Sequence, residues 1–415
     1  MHILVLNPGS SSIKFSMFAD GWAQLLSLYE GELSEIGEAS AALTLHSAAG
    51  KDLASAVGEV KAGSMDEAIS VVQRAFGLPG LPPPDAVGYR VVHPGAHLRG
   101  HQRLTPEVLG QLREAVVFAP LHDPAALHMI EEMMRRVPGV PRFACFDTVF
   151  HETMPEESSV YALPAAVREA GVRRYGFHGL SCESIIVQMR EARGVVFPQR
   201  MVIAHLGSGC SVTACVDGKS VDTTMGLTPT GGVVMGTRPG DLDPGVVLYL
   251  LRQPGATAES VEKMLNHESG LKGLGGINDM RELRASAAKG DEPARLAIRI
   301  FVRSVVKSIA GFIALYGADA LVFTGGIGEH DADSRAEIVA GLAGLGARLD
   351  ADANRLLPIS PSLGERPEWG QNVRKISGDD SQVAVYVAPA EEDLMIARHV
   401  MRMCLKSPRG EASSS

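Results

Sequence analysis

The chain has 415 residues, 45% hydrophobic and 21% charged, enough for two or three packed domains. A formal charge of -9 argues against a general nucleic-acid or anionic-membrane binder. No apolar run reaches bilayer length, and the five scattered cysteines form no Cys-x-x-Cys pair, which points to free thiols in a reducing cytoplasm.

The N-terminus, MHILVLNPGSSSIKF, has no basic leader and does not read as a secretory signal. Residues 2–6 read as a buried strand, 7–12 as a turn loaded with hydroxyls, and 13–18 as a second strand. Residues 25–60 suit further strands of the same sheet, and 65–76 a helix that Gly77 ends. A strand over 85–92 runs into His93-Pro94-Gly95. Apolar spacing predicts a helix over 106–118, and Asp123 reads as the cap of another over 124–136. A strand over 142–146 ends at Asp147-Thr148. Residues 164–170 and 181–193 look helical, around an irregular basic and aromatic loop at 173–179.

Residues 201–206 and 210–216 read as strands joined by Gly207-Ser208-Gly209, repeating the opening design. VLNPGSSSIKFSMF and IAHLGSGCSVTACV are both strand, Gly/Ser turn, strand, which suggests a duplicated domain. Residues 222–244 have neither a helical nor a strand period, and long irregular segments in compact domains are often functional. The cation of this stretch is Arg238, suited to gripping a carboxylate or phosphate; the alternative is a surface arginine on a crossover loop. Helices follow at 259–266, 293–315 and 334–344, with a strand over 320–324 entering a third glycine turn at 325–329. A strand over 382–387 precedes a closing helix over 391–404, and the tail from Ser407 reads as frayed.

Three Gly/Ser turns after buried strands let several backbone N–H groups converge on an anion. None matches the Gly-x4-Gly-Lys-Ser/Thr loop or a Gly-x-Gly-x-x-Gly opening a helix. Phosphoryl transfer needs cations around the transferred group, and Arg90, His178, His205 and Arg238 sit on irregular segments at strand ends. Asp147 could orient a nucleophile or a metal-bound water, and Asn7 with Glu391 or Glu392 offers oxygen ligands suited to Mg²⁺. Each has a bland alternative: a surface ion pair, a turn former, a helix-dipole partner. His93, His97 and His101 are spaced by four, but Pro94-Gly95 argues against a helical zinc face.

With these residues in hand, the chain resembles the acetate kinase family of the actin, hexokinase and sugar-kinase superfamily. The resemblance covers most of the chain and rests on ordered motifs: LNPGSSSIKF, RVVHPG, APLHDPA, FDTVFHETMP, RRYGFHGLS, HLGSGCS, DTTMGLTP with GTRPGDLDP, and FTGGIGE. It implies two duplicated α/β domains of the ribonuclease H-like, actin-like ATPase type with a cleft between them. The expected boundaries are 1–148 plus 393–415, and 149–392. It implies transfer from ATP to a short-chain carboxylate, acetate or propionate, giving an acyl phosphate and ADP, with Mg²⁺ or Mn²⁺, in a cytoplasmic homodimer.

By the same resemblance, Arg90 and Arg238 hold the carboxylate and the phosphate in flight. His178 donates to the transition state, and Asp147 is the catalytic acidic residue. Asn7 and Glu392 match the metal site. Lys14, His205, Leu206, Gly207, Ser208, Gly209, Asp279, Met280, Arg281, Gly326, Ile327, Gly328, Glu329 and His330 match ATP-binding segments. Val92, Leu121, Phe177 and Pro229 match the apolar pocket for the acyl group, with Arg90 at its polar end. The chain departs from the family pattern at Pro94, Ala96, Asp123, Leu180, Cys182, Ser208, Gly231, Pro239, His330 and Glu391. Those departures keep two rivals in view: the same fold with pyrophosphate as donor, and a degenerate kinase that senses nucleotide or binds a partner. Intact Asp279 and Arg281 count against the first; Arg90, Asp147, His178 and Arg238 together count against the second.

Overall fold

The computed structural model describes residues 1–9, 11–21, 25–119, 123–356 and 370–406. Leu121, Ser10 of the first turn and the tail from Ser407 lie outside the described residues. The chain divides into two units. One takes Met1–Val149 and the chain from Glu391 onward; the other starts at Phe150 and ends at Ala390.

The first unit is built on a sheet of seven strands: β1 (His2–Pro8), β2 (Ile13–Asp20), β3 (Leu25–Ser34), β4 (Ala42–Ser47), β5 (Ala86–Val91), β6 (Gln102–Arg103) and β7 (Arg142–Phe146). Their order is β4-β3-β2-β1-β5-β7-β6. β1 pairs antiparallel with β2 and parallel with β5, β5 runs parallel to β7, and β6 returns antiparallel. Ile3, Leu4, Val5 and Leu6 are all fully buried, the continuous apolar run of a strand covered on both faces. On one face lies the Met65–Phe76 helix, capped by Ser64, whose hydroxyl accepts from Glu67 N.

The second unit repeats this design with β8 (Arg200–Leu206), β9 (Cys210–Val216), β10 (Lys219–Thr223), β11 (Ala320–Thr324), β12 (Arg374–Lys375) and β13 (Ala384–Val387). The order is β10-β9-β8-β11-β13-β12, antiparallel through β8, parallel across β11 and β13, then antiparallel at β12. β1–β2 and β8–β9 hold the same place in the two sheets. The repeated hairpin of the sequence is therefore the start of a repeated α/β domain, the duplicated actin-like fold.

Several elements differ from the sequence reading. The third glycine turn is instead the start of a short helix, Gly325–His330, because Gly325 takes φ +76° and turns the chain straight out of β11. Helices at Pro244–Leu251, Gly270–Gly275, Met280–Ala288 and Ala351–Arg355 were not expected; glycine or short length blurs their period. Asp123 is the first residue of its helix rather than the cap; its carboxylate accepts from His93 N instead. Between Thr223 and Pro244 there is no helix or strand, as the sequence leads one to expect. Among the described residues no helix is long and apolar enough to cross a membrane.

The closing Glu392–Lys406 helix packs on the first sheet through Gly88 of β5. A Cβ at Gly88 would lie 2.6 Å from Ile396 Cγ2 and 2.8 Å from Val400 Cγ2. Both neighbours are β-branched and stiff. Gly88→Ala is therefore expected to destabilise by about 1–3 kcal/mol through overpacking. The shift of the urea midpoint measures this, and an unchanged midpoint would mean that the helix yields.

Candidate active site

In the first unit the parallel strands end together, and four of the sequence-selected residues meet there. Arg90 lies near the end of β5 and Asp147 just past β7. The Arg90 guanidinium forms a two-pronged pair with Asp147: Nε donates to Oδ1 at 2.8 Å and Nη2 to Oδ2 at 2.6 Å. Its Nη1 donates to Asn7 Oδ1 at 3.3 Å and faces Glu392 Oε2 at 3.3 Å. Burial works against the Arg90 charge, but Asp147 and Glu392 outweigh it and hold the guanidinium firmly protonated. Glu392 is pushed upward, first by burial and then by Asp147 and Asp393, against the pull of Arg90 and Lys14.

Lys14 sits opposite Asn7 in the β1–β2 register and is exposed. Asp393 accepts from Ser16 Oγ at 2.7 Å. The cluster thus sets three carboxylates, Asp147, Glu392 and Asp393, against two cations, Arg90 and Lys14. That negative excess, with hard oxygens on Asn7 and Glu392, fits a divalent cation that needs few protein ligands. Asp393 is not among the residues that the sequence singles out. Its place in a Glu-Glu-Asp run hid it.

In the second unit, His178 precedes the Gly179–Glu191 helix in a left-handed conformation, φ 59° and ψ 25°. Its Nδ1 lies 3.0 Å from Ser211 Oγ, and its ring stacks on His205 with centroids 4.1 Å apart. His205 Nδ1 lies 2.8 Å from Ser181 Oγ. Both supporting serines were missed, although Ser211 follows the glycine turn directly after Cys210.

Arg238 comes to the same place from the irregular stretch. Its Nη1 donates to Pro229 O at 2.6 Å, which ties it to the buried Pro229. Among the described residues no carboxylate pairs with it, and burial pulls its pKa down. A Cβ on Gly209 would lie 3.1 Å from Arg238 Nη2 and 3.3 Å from His178 Nε2. Both donors therefore converge on a glycine of the β8–β9 turn.

Two of the expected nucleotide segments adjoin this turn. A Cβ on Gly207 would meet Gly326 N at 3.9 Å, and a Cβ on Gly236 would meet Ser208 O at 3.4 Å and Asn278 O at 3.2 Å. Asp279 caps the Met280–Ala288 helix by accepting from Arg281 N and Glu282 N. It also pairs with the exposed Arg281 side chain, which holds the carboxyl down to about 2. Gly325 N and Ala390 N both donate to Glu329 Oε1, at 2.9 and 3.0 Å. His330 is exposed and Met280 buried. Of the expected apolar pocket, Phe177 and Pro229 are buried in the second unit and Val92 is half-buried in the first.

Two actin-like α/β domains, one presenting a carboxylate-rich cluster and the other glycine turns beside Arg238, which no carboxylate pairs among the described residues, define a phosphotransferase. Comparison with known proteins narrows the class. The acetokinase family model matches residues 2–398. An acetate kinase of Rhodopseudomonas palustris is 41% identical over 410 residues, covering 97% of this chain and 98% of that protein. The structure of a propionate kinase from Francisella tularensis superposes with a TM-score of 0.83 at 35% identity, covering 97% of this chain and 99% of that one. That of Porphyromonas gingivalis acetate kinase gives 0.81 at 32%, with the same coverage. The chain belongs to the acetokinase family.

Asp123 marks a departure with a physical signature. Its side chain is buried, it accepts from His93 N at 3.3 Å, and its Oδ2 has no hydrogen-bond partner among the described residues. Burial pushes its carboxyl up to about 7, eased by the His93 and Val92 amides and reinforced by Asp147. A carboxyl raised on folding binds more protons in the native state. Its contribution is intact below pH ~4 and is lost as pH rises through about 7. Asp123→Asn removes the titration, so its melting temperature should gain on the parent between pH 4 and pH 8, by several degrees at the upper end. A gap that stays constant with pH would contradict the assignment.

Proposed function

We propose that the protein transfers the γ-phosphoryl group of ATP to the carboxylate of acetate, and of propionate, giving an acyl phosphate and ADP, and runs the same step in reverse to make ATP. The observation that carries this is the meeting of Arg238, a cation with no carboxylate partner among the described residues, and His178 Nε2 over Gly209 of the β8–β9 turn. Charge gathers on the equatorial oxygens of a phosphoryl group in transfer, and two donors converging on a glycine turn suit that charge.

A carboxylate oxygen attacks phosphorus while the bond from phosphorus to the ADP oxygen breaks. The nucleophile is already ionised, so no strong base is needed, and positioning with charge neutralisation carries the rate. Arg238 takes the phosphoryl oxygens and His178 donates to them. The backbone amides of 205–209 and 326–330 take the remaining phosphates, with the Asp279–Arg281 segment on the adenosine side. Arg90 holds the acceptor carboxylate and fixes Asp147 through its two-pronged pair. Asn7 and Glu392 would hold Mg²⁺, which when bound neutralises phosphate charge. Val92, Phe177, Pro229 and Leu121 serve the acyl chain, where one methylene is worth only about 1–3 kcal/mol.

Acyl phosphate trapped with hydroxylamine, with MgATP and acetate, propionate or butyrate in turn, tests the reading. Turnover on acetate or propionate is expected. Arg238→Ala should cut kcat by about 10²–10³-fold with an unchanged melting temperature. No product with any acid would sink the proposal.

We further propose a homodimer formed through the Pro244–Leu251 helix. None of its eight residues is buried, and Val246, Leu248, Tyr249 and Leu251 are exposed beside Leu242. Such a patch marks an association surface. Light scattering should give twice the chain mass, and Tyr249→Lys with Leu248→Glu should give monomers. A monomeric parent would refute it.

A further inference from the structure

The loop that delivers His178 is fastened at three points within the second unit. Arg174 Nη1 donates to the carbonyls of Thr223, Thr224 and Met225, at 2.9, 2.7 and 3.1 Å. Tyr175 N and Gly176 N donate to Gly226 O, at 3.0 and 3.4 Å. The third fastening is His151, from a segment that the proposed chemistry leaves unused. Its Nε2 lies 2.9 Å from Phe177 O. A carbonyl can only accept, so Nε2 carries the proton, and Nδ1 accepts from the Ser220 hydroxyl at 2.9 Å. The ring is buried, so both partners are fixed and the tautomer with them.

The backbone is shaped around this ring. Gly176 takes φ +73° and lies against it, and a Cβ there would stand 2.7 Å from His151 Cγ and Cδ2. Two residues on, His178 takes φ +59°, a left-handed conformation uncommon for a residue with a Cβ. The Phe177 carbonyl belongs to the peptide plane that enters His178. Fixing that oxygen fixes the plane from which φ of His178 is measured. The left-handed turn then aims the imidazole at Ser211 and His205.

We propose that His151 is a positioning residue for the phosphoryl-transfer step: its Nε2–H holds the Phe177 carbonyl and so keeps His178 in the left-handed conformation that directs its imidazole at the transferred group. The proposal rests on His178 acting in that step. His151 touches neither substrate nor reacting atoms.

The test compares kcat, KM and melting temperature across side chains that keep or lose one nitrogen. In His151→Gln the amide N–H reaches the place of Nε2, whereas in His151→Asn it reaches only that of Nδ1. His151→Leu keeps neither. His151→Leu and His151→Asn should lower kcat by about 10–100-fold, the size of effect a small misplacement produces, with KM for carboxylate and MgATP within about threefold. His151→Gln should recover most of kcat. His151→Leu placed on His178→Ala should cost little beyond His178→Ala alone, because the group it positions is gone.

A full further loss in the His178→Ala background would overturn the proposal while leaving His178 in the mechanism. Failure of His178→Ala itself to lower kcat would instead remove the reading on which the proposal rests. Should His151→Leu not fold, the Asn and Gln variants decide: equal kcat in the two would overturn it.

Discussion

The first unit depends on the two-pronged pair between Arg90 and Asp147. A guanidinium and a carboxylate at the ends of neighbouring parallel strands are costly to take from water unless they meet with good geometry. Here they meet at 2.6 and 2.8 Å. Asn7 from β1 and Glu392 from the closing helix complete the donor and acceptor set. One interaction thus gathers β1, β5, β7 and the last helix at the same edge of the sheet. Gly88 lets that helix come close enough to take part.

The second unit solves the complementary problem, holding the Arg238 charge where no carboxylate among the described residues pairs with it. The Ser211 hydroxyl and the stacked His205 ring support His178, and the Pro229 carbonyl holds Arg238. A carbonyl support fixes the direction of the guanidinium without cancelling its charge. The second unit therefore suits a group that arrives negative. The first, with its surplus of carboxylates, suits a divalent cation.

Much of this was legible in the sequence because the signals were local. The buried run of β1, the repeated Gly/Ser hairpin and the helix at 65–76 each follow from short patterns, and the hairpin alone pointed to duplication. Arg90, Asp147 and Arg238 could be picked out because charged residues at strand ends and in aperiodic stretches are conspicuous. What escaped was relational. Nothing local says that Asp123 serves the amide of His93 rather than its own helix, or that Asp393 joins the Arg90 cluster. The short helices beginning at Gly270 and Gly325 escaped because glycine erases the apolar period from which a helix is read.

The Gly270–Gly275 helix has a consequence of its own. Its opening amides have no partners within the helix. They bond instead to the irregular stretch: Ser269 N to Thr237 O at 3.0 Å, Leu271 N to Met235 O at 2.9 Å and Lys272 N to Gly236 O at 2.9 Å. Gly270 permits this, because a side chain there would strike Met235 O and the Arg238 backbone. The segment carrying Arg238 looks formless by secondary structure yet is clamped through its backbone carbonyls. Its conformational entropy is surrendered when the chain folds, so the free energy of a later encounter is not spent on ordering it.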